Sequence, residues 1–118
     1  MEQKIEYDDK EKSLEWRFKN YCFKLPESIE QLLEIDNAMQ ISVNSARIDL
    51  ILEKQLISVY VKTESYKILI LLRKLEDDCF LLDYFCGVQK SIPDQNDLEI
   101  LKQWCEIKNI QFSHGVRL

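Results

Sequence analysis

Few residues in this chain can do covalent chemistry. His114 is the only histidine, so a Ser-His-Asp triad, a histidine metal centre or histidine acid–base work would all run through one residue. A thiol nucleophile would come from Cys22, Cys79, Cys86 or Cys105 and would need His114 beside it, with backbone donors for an oxyanion. No local motif joins them. The cysteines form no CxxC pair, whereas structural zinc sites use close spacing to place two ligands at once. The expectation is therefore no metal, no cofactor and no catalysis. Met1–Lys12 is charged rather than signal-like, which points to a cytoplasmic protein whose thiols are free, unbridged and mostly buried as small hydrophobes.

Phosphate cradles need clustered glycines, because only glycine lets the backbone approach an anion closely, and Gly87 and Gly115 stand alone. Asp8-Asp9 and Glu76-Asp77-Asp78 lack the regular ligand spacing of a cation loop. Asp83 stands out, since it interrupts the hydrophobic run Cys79 to Cys86, where an unpaired charge would be costly. It must face solvent at an edge, pair with Lys67 or Arg73, or belong to a binding surface. Glu27, Glu30 and Glu34 share one side of a helix, and no Lys or Arg lies between Lys24 and Arg47 to neutralise them.

The elements that position these groups follow from periodicity. Leu14, Trp16 and Phe18 alternate with charged residues, and Tyr21, Phe23 and Leu25 resume the alternation in the other phase. Lys19-Asn20 is therefore a bulge or a tight hairpin turn. Pro26 ends that unit, and Glu27 to about Ala38 reads as a helix with Ile29, Leu32 and Leu33 as its core stripe. From Met39 to Val88 the β-branched and aromatic content predicts strands at Ile41–Val43, Ala46–Leu52, Leu56–Lys62, Tyr66–Lys74 and Cys79–Cys86. A second helix opens at Pro93–Asp97, with Asn96 as N-cap and Glu99 completing a capping box, and ends near Asn109. Its apolar residues span about 180° of the circumference, wide enough to touch two surfaces. Ile110–Phe112 adds a short edge strand.

The 118 residues, 46% hydrophobic and 31% charged with two glycines and two prolines, make one folded domain, with residues 1–12 as a mobile N-terminal segment. The fold class is α+β: an antiparallel meander of five to six strands with two helices packed on it. The central strands are apolar on both faces, so each face needs a cover from a helix, a partner or a second copy. No apolar run approaches membrane-spanning length. Sixteen basic against 21 acidic residues give a net charge of −5, the wrong sign for binding nucleic acid. The expected function is that of a small acidic protein that binds and inhibits a basic protein partner, such as an immunity protein neutralising a basic bacterial toxin. Its contacts would be Glu27, Glu30, Glu34, Glu76, Asp77, Asp78 and Asp83. A homodimeric adaptor or secretion-type chaperone is one alternative, and a small ligand-binding domain or enzyme with a sheet–helix pocket is the other.

Overall fold

The computed structural model describes residues 2–42, 45–76, 79–116 and 118. Six strands form one sheet in chain order: β1 (Trp16–Phe18), β2 (Tyr21–Lys24), β3 (Leu56–Lys62), β4 (Tyr66–Lys74), β5 (Phe80–Gly87) and β6 (Gln111–Phe112). The first five pair antiparallel, but β6 runs parallel to β5. The sheet is thus mixed, because the last connection is not a tight turn but the long helix α4 (Gln95–Ile107), which carries the chain back before it rejoins the edge.

The expectation of two helices also needs correction. Besides α4 and α2 (Ile29–Ala38), there is a one-turn α1 (Asp9–Lys12), an α3 (Ser45–Leu52) and a 3₁₀ turn at Val88–Lys90. Residues Ala46–Leu52, expected as a strand, are helical. Helical spacing sets Arg47 and Ile51 on one buried side, and this brings Arg47 onto α2. Ile41 and Ser42 are not in a strand, and Val43 lies outside the described residues.

The helix ends explain how the chain turns with so little glycine. Gln40 (φ 57), Lys54 (φ 66) and Asn109 (φ 56) follow α2, α3 and α4 in the left-handed region. In each case the next amide reaches back to the helix: Ile41 to Asp36 at 2.9 Å, Gln55 to Leu50 at 2.9 Å and Ile110 to Cys105 at 2.8 Å. These are Schellman ends built without glycine. The turn at Lys19-Asn20 is a two-residue hairpin, since Phe18 pairs with Tyr21, and Lys19 takes φ 54. α2 starts at Ile29 rather than Glu27: Ser28 is its cap, accepting the Gln31 amide at 3.0 Å. α4 is capped by Asp94 rather than Asn96, through the Asp97 amide at 2.9 Å.

Both faces of the sheet are covered within the chain. On one, Val59, Val61, Ile68, Ile70 and Leu82 pack against Leu101, Trp104 and Cys105 of α4. Phe23 stacks on Trp104, whose indole donates to Leu14 O at 2.8 Å. On the other, Tyr60, Leu69 and Cys86 pack against Ile29, Leu32, Ile35 and Met39 of α2 and Ile51 of α3. Leu33, expected in the α2 stripe, is exposed, and the stripe runs instead through Ile35 and Met39. Residues 2–12 are bonded into the body: Ile5 donates to Glu27 O and is covered in the second core, Ile29 donates to Gln3 O, and the Tyr7 hydroxyl donates to Pro26 O at 2.6 Å.

Two bulges bend the sheet into a half-barrel. Val61 pairs with Ile68 and Lys62 with Tyr66, which leaves Lys67 as the extra residue of β4. Leu72 pairs with Leu82 and Leu71 with Tyr84, which leaves Asp83 as the extra residue of β5.

Candidate functional site

The most demanding polar group in the molecule lies where α2, α3 and β3 meet. Asp36 occupies the buried stripe of α2 and has no exposure. Its Oδ1 accepts the Tyr60 hydroxyl at 2.6 Å, and its Oδ2 accepts Nη2 of Arg47 from α3. Burial, reinforced by the Asp36 charge, raises the Tyr60 phenol well above its ordinary range, so it stays a donor. Ser58 lies two residues before Tyr60 and is also buried. Cys86 lines the same core, and burial raises its thiol, which makes it a poor nucleophile. The arrangement is closed and holds two helices in register on the sheet. The enclosed space beside it, lined by Leu32, Ile51, Leu56 and Ser58, amounts to about 10 Å³, which is one water at most.

Three smaller charge groups tie elements together. Asp97, at the start of α4, accepts the Tyr21 hydroxyl at 2.7 Å and lies 3.1 Å from the bulged Lys67. That hydrogen bond, followed by desolvation, pushes the Tyr21 phenol up to about 12. Glu11 closes a capping box with Asp8, and Lys74 reaches both carboxylates at 3.7 and 3.2 Å. The Glu11 amide, followed by Lys74, holds Asp8 below the usual carboxylate range. Asp83 pairs with Arg73 at 3.3 Å, with the guanidinium largely in solvent.

The expected contact residues do not form one site. Glu34 is exposed on the solvent side of α2 and Glu27 is exposed just before the Ser28 cap, whereas Glu30 is half-buried because both its oxygens accept the Gln3 amide, at 2.9 and 3.1 Å. Glu76 is exposed after β4; Asp77 and Asp78 lie outside the described residues. Asp83 takes up the Arg73 pairing that the sequence offered as one of its options. No disulfide joins the four cysteines; Cys86 and Cys105 are buried but Cys22 and Cys79 only half-buried, fewer buried than expected. Burial, then Glu106, raises the Cys105 thiol to about 12. His114 is exposed near the chain end. Among the described residues no three His, Cys, Asp or Glu side chains are grouped to hold a metal ion.

Sequence reasoning missed Asp36, Arg47, Tyr60, Tyr21 and Asp97. One signal was available: at 100° per residue Asp36 falls between Ile29 and Leu32, inside the stripe that faces the core. A comparison with protein-family models, curated proteins and solved structures finds no match to this chain.

Proposed function

We propose that this chain is a small acidic inhibitor that binds a basic protein in the cytoplasm, as an immunity protein masks a bacterial toxin. The observation that carries the reading is the outer face of α2. Glu34 is exposed there and Glu27 is exposed just before the Ser28 cap, on and beside an element whose opposite side is locked by Ile29, Leu32, Ile35 and the Asp36 network. Preordered charge of one sign accelerates encounter with a basic partner, and a rigid backing limits the entropy lost on binding. Glu76, Asp77, Asp78 and Asp83 form the proposed secondary contacts. An adaptor would need the second sheet face for self-association, and α2 and α3 lie over that face at Tyr60 and Leu69. A ligand-binding domain would need a pocket of about 300–1,000 Å³, whereas the spaces between helix and sheet are about 10 Å³ beside Leu32, Ile51 and Leu56 and about 250 Å³ beside Leu50, Leu56 and Arg73.

The test is association kinetics with a partner captured from the native host and then purified. The double variant Glu27→Lys/Glu34→Lys should slow association and leave the fold intact, and raising salt from low to physiological should slow the wild type. Unchanged rates in both experiments would remove the acidic face from the interface and overturn the reading.

A further inference from the structure

β5 is eight residues long, yet its outer side is paired only at its beginning, where Leu81 and Leu82 face Gln111 and Phe112. The Ser113 amide donates to Leu82 O at 3.0 Å, and the chain then turns away through His114 and Gly115, whose φ of 97 suits glycine. At the far end the Gly87 amide is taken by Ser91 O at 2.7 Å. Strand alternation, with one residue absorbed by the bulge at Asp83, puts the backbone groups of Phe85 on the outer side between these two anchors. No strand among the described residues lies beside them. A groove of about 510 Å³ runs along this stretch, lined by Asp83, Tyr84, Phe85, Ser113, His114 and Val116.

We propose that this open side of β5 takes up an extended peptide segment of a partner protein, added as a strand that continues the line of β6. From Asp83 to Cys86 the edge spans about 10 Å, three steps at strand rise. The occupant's chemistry is set by the lining. Tyr84 and Phe85 offer apolar surface, with Tyr84 41% exposed. Asp83 is the one carboxylate among the described lining residues; its side chain is 34% exposed, and its Oδ2 lies 3.3 Å from Nη2 of the solvent-exposed Arg73 of β4. In a chain of net charge −5, the segment that fits alternates apolar side chains with Lys or Arg. A second copy of this chain fits poorly, because pairing identical edges would bring two bodies of net charge −5 together. Peptide addition at a sheet edge draws affinity from main-chain hydrogen bonds and specificity from alternate side chains. This surface shares Asp83 with the secondary contacts proposed above but none of the α2 glutamates, so amide shifts at Asp83–Cys86 and shifts at α2 tell the two readings apart.

The experiment titrates the isotope-labelled full chain with the blocked peptide acetyl-Lys-Val-Lys-Val-Lys-Val-amide and with its counterpart in which glutamate replaces lysine, following backbone amide signals. The basic peptide should move the amides of Asp83–Cys86 and Ser113–Val116 and bind about tenfold more tightly than the acidic one. Asp83→Asn should retain the fold and lose that preference, and Phe85→Pro, which removes the outward donor, should abolish binding. The proposal is overturned by unmoved amides at millimolar peptide, equal affinity for both peptides, shifts centred on Glu27 and Glu34, or peptide-independent self-association through the same amides.

Discussion

The Tyr60 hydroxyl donates to Asp36 at 2.6 Å between two side chains with no solvent exposure, and Arg47 closes the other side of the same carboxylate. Three elements thus converge on one buried charge. The consequence is unequal sensitivity to deletion. Asp36→Ala leaves Arg47 without its carboxylate and should cost about 3–5 kcal/mol, whereas Tyr60→Phe removes one hydrogen bond and should cost about 1–3 kcal/mol. The double variant Asp36→Leu/Arg47→Met removes both charges together and should be less damaging than the sum of its parts. Urea denaturation at neutral pH measures all of these, and strict additivity of the two charge deletions would show that the pair is not coupled.

Lys19 carries the hairpin between β1 and β2 at φ 54, with its ammonium 5.4 Å from the Phe18 ring centroid in solvent. A left-handed lysine bears a steric penalty that glycine does not. Lys19→Gly should therefore raise stability by about 0.5–1 kcal/mol. Lys54→Gly should gain less, because Lys54 also donates to Glu6 O and sits over Tyr7. Thermal melts of the two variants compare them directly; a destabilised Lys19→Gly would contradict the strain argument.

These turns mark the boundary of what the sequence reveals. The strands β3, β4 and β5 were legible because long β-branched and apolar runs leave no other reading, and the Trp16–Phe23 hairpin because its alternation changes phase at Lys19-Asn20. α3 was not, because Ile48 and Ile51 favour strand locally while the burial of Arg47 against Asp36, eleven residues away, decides the helix. The bulges at Lys67 and Asp83 were invisible as bulges, although Asp83 announced itself as a charge in an apolar run. The Asp36 network joins residues from three separate elements, a relationship that periodicity within any one of them cannot express. Of the expected contacts, the solvent side of α2 was legible from helical angle, but the Gln3 amide that occupies Glu30 was not.

Alkali should unfold the protein earlier than its charge alone would dictate. The Tyr21 phenol is raised from 10.0 to about 12 and the Cys105 thiol from 9.0 to about 12. A folded pKa above the unfolded value adds stability that is complete below the unfolded pKa and is lost as pH rises through the folded one. The loss should thus begin near pH 9 for Cys105 and near pH 10 for Tyr21 and be complete by about pH 12. Denaturant midpoints should fall between about pH 8 and pH 10.5, and Tyr21→Phe should reduce the slope. A flat profile would sink the assignment.

The four thiols should separate by burial. Cys22 and Cys79 are half-buried, while Cys86 and Cys105 are buried with raised pKa values. At neutral pH a thiol reagent should modify the first two at measurable rates and reach the second two only through unfolding. Peptide mapping of the labelled protein tests this, and rapid native labelling of Cys105 would show that α4 opens on the sheet.

Glu30 and Glu34, the two glutamates of α2, should not respond alike to charge reversal. Glu34 is exposed and takes no part in the core that α2 forms with the sheet, so Glu34→Lys should change stability by about 0.5 kcal/mol or less. Glu30 instead accepts the Gln3 amide with both oxygens. Glu30→Lys replaces that acceptor with a donor and should cost about 1 kcal/mol, chiefly by loosening residues 3–5, which pair with Glu27 and Ile29. Hydrogen exchange locates the effect: the Ile5 and Ile29 amides should lose protection in Glu30→Lys and keep it in Glu34→Lys. The distinction matters for any binding experiment, because slowed association in a Glu30 variant mixes lost charge with a loosened N-terminal segment, whereas Glu27→Lys/Glu34→Lys reports on charge alone. Equal protection in the two single variants would mean that Glu30 anchors nothing, and would return it to the free acidic face beside its neighbours.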